Sequence, residues 1–107
     1  MEIINVRRGS GKTTNLIYES NKKEIPIVCD TKSQCSFIEK KAKYMGVRIP
    51  EPICIYDLYS SDKFRGRAKP EKILIDELPR VLSLITGCEI ETATMTSCSL
   101  ELYDRNR

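Results

Sequence analysis

Gly9-Ser10-Gly11-Lys12-Thr13-Thr14 stands between a short apolar run, Ile3-Ile4-Asn5-Val6, and a segment of helical character over 12–22. Its glycines let the backbone curl so that successive N–H groups converge on phosphate oxygens. A helix starting there adds the partial positive charge of its N-terminus. Lys12 can reach outer phosphates as a point charge, and Thr13 can present a hydroxyl to Mg²⁺. Val6 occupies the position where the full motif has its first glycine. A Gly-Lys-Thr turn also occurs as a plain helix start with an exposed lysine, so the strand–loop–helix context carries the weight.

Strand and helix patterns alternate along the rest of the chain. Ile25-Pro26-Ile27-Val28-Cys29 reads as a second strand, with Pro26 at its start. Thr31-Lys32-Ser33-Gln34 has capping-box spacing, in which hydroxyl and amide each satisfy an orphan N–H. The helix it opens should run to about Met45, burying Cys35, Ile38, Ala42 and Met45, with Gly46 as its C-terminal cap. Val47 to Pro52 reads as a loop, Ile53-Cys54-Ile55-Tyr56 as a third strand and 59–72 as a polar loop. Lys72 to Glu77 reads as a buried strand, and Pro79 suits the first turn of a helix closed by Gly87. Glu89 to Met95 and Leu100 to Tyr103 alternate as strands do. The pattern predicts an α/β three-layer sandwich with a mostly parallel sheet, in a single small domain of 107 residues.

Composition narrows the chemistry. The chain has no His, which excludes imidazole acid–base, His-zinc and triad mechanisms. Its five cysteines, Cys29, Cys35, Cys54, Cys88 and Cys98, contain no Cys-x-x-Cys pair. Cys29 and Cys54 lie in apolar runs and read as small buried hydrophobes, which suits a reducing cytoplasm. Apolar runs are only a few residues long and the N-terminus lacks a signal-peptide pattern, so no membrane association is expected.

Ile73-Leu74-Ile75-Asp76-Glu77 complements the loop: three apolar residues deliver two acids to a sheet's C-terminal edge. Asp76 is placed to serve Mg²⁺ and Glu77 to orient and deprotonate an attacking water. The alternative is that both acids cap the following helix.

These two motifs, with Arg7-Arg8 before the glycines, resemble the P-loop NTPases whose Walker B strand ends in Asp-Glu. The chain is most similar to the RecA-like core of helicases and packaging terminases, in a minimal phage or mobile-element version. The resemblance implies that Gly9, Ser10, Gly11, Lys12, Thr13 and Thr14 hold the phosphates of ATP. It implies Thr13 and Asp76 for Mg²⁺, Lys12 and Glu77 for catalysis, and Thr94 or Thr96 as a γ-phosphate sensor. Neither a second RecA-like lobe nor a nuclease domain is present in the sequence, so a motor would need a partner subunit or homo-oligomer.

Residues 63–72 carry Lys63, Arg65, Arg67, Lys69 and Lys72 against Glu71, a local net charge of +4 in a chain of +3. This loop could contact nucleic acid, offer an arginine to a neighbouring subunit, bind an acidic protein, or simply be a solvated loop. Two functions therefore compete. One is a Mg-dependent ATPase. The other is a small viral interaction protein, such as an inhibitor of a host defence or replication factor, that keeps the fold as a scaffold; a bacterial host's cytoplasm would then be its compartment.

Overall fold

The computed structural model describes residues 2–5, 11–60, 69–94 and 99–102. In chain order the elements are β1 (Glu2–Asn5), α1 (Lys12–Lys23), β2 (Ile27–Cys29), α2 (Lys32–Met45), β3 (Ile53–Cys54), α3 (Ile55–Ser60), β4 (Leu74–Ile75), α4 (Leu78–Thr86) and β5 (Ser99–Leu102). Every ladder among the described residues is parallel. One sheet has the order β3-β2-β4, and β1 and β5 form a second, two-stranded pair. The parallel pairing of β1 with β5 joins the first and last described strands, from Glu2↔Ser99 to Asn5↔Leu102.

Strand alternation on β2 explains how helices come to lie on both faces. Ile27 and Cys29 pack with Ile17 of α1 and Ile38 and Ala42 of α2. Val28, between them, faces the other way and packs with Ile53, Ile55 and Val81 of α4. The three-stranded sheet is thus the middle layer between α1–α2 and α3–α4. Cys35 and Met45 are half-buried against the first cluster, so all four residues expected on the buried face of α2 point there.

Local signals fix the helix ends. Thr31 accepts the Gln34 backbone N–H at 3.1 Å, and Gly46 and Gly87 close α2 and α4 at φ 73° and 72°. Pro79 lies in the first turn of α4, where the lack of an N–H costs nothing. The Ser20 hydroxyl donates to the Ile25 carbonyl at 2.6 Å and ties the end of α1 to the start of β2.

Four expectations are corrected. The apolar run Ile53–Tyr56 is a strand only at Ile53–Cys54; Ile55 already begins α3, which also occupies residues 59–60 of the expected loop. Short apolar runs carry no period that separates strand from helix. The strand expected over 72–77 is limited to Leu74–Ile75. Residues 89–94 are exposed and irregular instead of a strand. Finally, the Thr31 capping box is one-sided, because the Gln34 side chain turns to Asp76 instead of back to Thr31. No helix of the described residues is long and apolar enough to cross a membrane.

Candidate functional site

Parallel strands end on the same side, so the turns after β2 and β4 meet at one edge of the sheet. The register Val28↔Ile75 sets Asp76 beside Cys29, with the Asp76 N–H donating to the Val28 carbonyl at 3.0 Å. Asp30 and Glu77 follow one step further along. A two-residue turn then leads directly into α4.

Asp76 is only 4% exposed. Burial pushes its carboxyl above the ordinary carboxylate range, opposed by the amide of Gln34, which donates to Oδ2 at 3.2 Å. The Glu77 charge adds to the rise and Lys12 works against it. Glu77 itself is half-exposed and ion-pairs with the Lys12 ammonium, which begins α1. Its backbone is left-handed, φ 62°, a conformation that costs a non-glycine residue about 1–2 kcal/mol. Neither acid caps α4, since the N-cap at Glu77 makes no side-chain hydrogen bond. The capping alternative for Glu77 therefore has no hydrogen bond behind it, and Asp76 is engaged with α2.

The N-cap of α1 is Gly11, which has no side chain to cap with and takes φ 84°. Only glycine adopts that angle at little cost. Thr13 and Thr14 follow in the first turn, both half-buried. Among the described residues no side chain accepts from the N–H groups of this turn, which stand beside the Lys12 ammonium, a combination suited to an anion.

Three residues join the site that lie outside the glycine-loop and Asp76-Glu77 motifs. Asp30 accepts a hydrogen bond from Arg80 Nε at 2.5 Å, linking the turn after β2 to the first turn of α4. Gln34 binds Asp76 from the first turn of α2. Asp30 could have been found as Asp76 was, as an acid directly after a buried strand. For Gln34 and Arg80 the sequence holds no comparable signal, because their partners lie 42 and 50 positions away.

Of the other expected site residues, two are described. Thr94 is exposed in the irregular segment after α4. Lys69 is exposed before β4. Gly9, Ser10, Lys63, Arg65, Arg67 and Thr96 lie outside the described residues. An open depression bordered by Lys23, Pro26, Pro70 and Lys72 lies at the opposite, N-terminal edge of β2 and β4. Open α/β sheets bind ligands at the other edge.

Among the described cysteines, Cys29 and Cys54 are buried. Cys29 is fully buried, and its thiol is pushed far above the ordinary range by a hydrogen bond with the Cys35 thiol and by burial. It stays a neutral thiol packed as a hydrophobe, and Cys54 is buried in the same way beside it. Among the described residues no group of three or more Cys, Asp and Glu is arranged to hold a metal by itself. Any cation at Asp76 would thus need oxygens from a ligand or water as well.

No protein-family model, no curated protein and no solved structure matches the chain.

Proposed function

We propose that this chain is a P-loop nucleotide-binding protein, a Mg-dependent ATPase built like a minimal helicase or terminase motor core. The observation that carries the reading is the ion pair between Lys12 and Glu77. It brings the residue after Gly11 at the start of α1 against the acid at the end of β4, as phosphate binding and water activation at one centre require.

The residues present suit Mg-ATP. The uncapped turn at Gly11–Thr14 offers backbone donors and Lys12 offers positive charge to β- and γ-phosphate oxygens. A triphosphate entering the loop competes with Glu77 for the Lys12 ammonium. Glu77 is then free to accept a proton from water at the γ-phosphate. Asp76 and the Thr13 hydroxyl are the oxygens available to Mg²⁺, which supplies charge neutralisation on the phosphates when bound. The carboxylate of Asp76 meets a neutral amide rather than a cation, so its charge remains available for that role.

Phosphate release from Mg-ATP tests the assignment of the base. Glu77→Gln is expected to abolish turnover while ATP binding persists; unchanged turnover would remove Glu77 from the mechanism. Running Lys12→Ala beside it guards against a contaminating ATPase, because that variant should also lose turnover.

A second reading is supported by α4, where Leu82, Leu84 and Ile85 are exposed on a helix anchored by Val81. Such a surface suits an interaction protein that keeps the fold as a scaffold. An absence of thermal stabilisation by millimolar Mg-ATP would favour it.

A further inference from the structure

Three carboxylates line the C-terminal edge of the sheet, and their partners differ in kind. Glu77 is paired with the Lys12 ammonium and Asp30 with the Arg80 guanidinium. Asp76, buried in the turn between them, ion-pairs with no cation among the described residues. Its Oδ2 accepts instead from the Gln34 side-chain amide at 3.2 Å.

The difference has a chemical consequence. A guanidinium would neutralise the carboxylate and compete with any cation approaching it. An amide donor fixes the carboxylate's orientation and leaves its negative charge in place. Hydrogen-bond partners of this kind set metal affinity by roughly 10–100-fold where ligating carboxylates depend on them.

Gln34 is itself firmly held. It is the third residue of α2, and its backbone N–H is bound by Thr31 Oγ1. The next residue, Cys35, donates its N–H to the Thr31 carbonyl at 3.1 Å and packs against the core. The amide therefore reaches Asp76 from a turn fixed by both cap and core.

We propose that Gln34 is a positioning residue for the cation site, its amide holding the Asp76 carboxylate in the orientation that Mg²⁺ needs. This rests on the Mg-nucleotide reading above. α2, and not only the loop and the β4 turn, then belongs to the nucleotide site.

The test is the affinity of the full chain for ATP in excess Mg²⁺ divided by that in EDTA, measured by calorimetry. Wild type should bind more tightly with Mg²⁺. Gln34→Met, similar in length but without an amide, should lose about tenfold of that gain while its EDTA affinity stays unchanged. Thr31→Ala, which removes the cap but keeps the amide, should melt at a lower temperature and keep most of the gain, because the Cys35 N–H bond to the residue 31 carbonyl and the core packing of Cys35 still hold the turn. If Gln34→Met fails to melt cooperatively, Gln34→Asn serves, since its shorter amide should also forfeit the gain. An unchanged gain in the Gln34 variants would overturn the positioning role while leaving the Mg-nucleotide reading intact. An equal loss in Thr31→Ala would overturn it too, reducing the effect to helix order. A wild type indifferent to Mg²⁺ would overturn both readings together.

Discussion

Asp76 sets stability against chemistry within one side chain. Its carboxyl has an ordinary value of 3.8 and is raised in the folded chain, first by burial. Between those two values the folded state holds the extra proton, so stability falls as pH rises through the window. At neutral pH the buried charge is a net cost that the fold carries. Asp76→Asn, which keeps the shape and can still meet Gln34, should therefore be more stable than wild type at pH 7. The difference should vanish as pH falls below the unfolded value. Urea denaturation at a series of pH values measures this, and a variant less stable than wild type at pH 7 would show that the ionised carboxylate is favourable where it stands. At this scale Lys12, Asp76 and Glu77 were legible, because order and spacing alone brought them forward. Gln34 and Arg80 were not, since side-chain partners chosen across the sheet leave no local trace; Asp30 follows a buried strand as Asp76 does, and only its pairing with Arg80 was hidden.

The elements show the same division. Helix ends were readable because a cap is a local event: Thr31, Gly46, Pro79 and Gly87 all stand where their side chains or φ angles are needed. Strand lengths were not, because two- and three-residue strands are defined by neighbours that the local pattern does not contain. Ile55 is the sharpest case, apolar enough for a strand yet the first residue of α3. Packing gives the elements unequal weight. Ile38 is fully buried between α1 and β2, whereas Leu82 on α4 is 39% exposed. Ile38→Ala should cost about 2–5 kcal/mol, and Leu82→Ala should stay within roughly 0.5 kcal/mol. Denaturant midpoints at constant slope distinguish the two. Equal costs would mean that α4 is packed against something its exposure does not reveal.

Over the whole molecule, α/β alternation was enough to predict parallel strands with helices on both faces. The order β3-β2-β4 and the pairing of β1 with β5 were not predictable, because strand order depends on contacts between distant segments. The proposed function depends on that order. With β4 beside β2, the turn carrying Asp76 and Glu77 meets the turn carrying Asp30 and the start of α2, and Lys12 closes the group from α1. The central claim is that this edge holds the phosphates of a nucleotide. Linkage makes it measurable without turnover, since a ligand at a hundredfold excess over its Kd stabilises the native state by about 2.7 kcal/mol. For a chain of this size that corresponds to a rise in Tm on the order of 10 °C. The decisive measurement is thermal unfolding with and without saturating Mg-ATP, in wild type and Lys12→Ala. A rise in Tm in the wild type that is lost in Lys12→Ala is the predicted result. No rise, or the same rise in both, would contradict it.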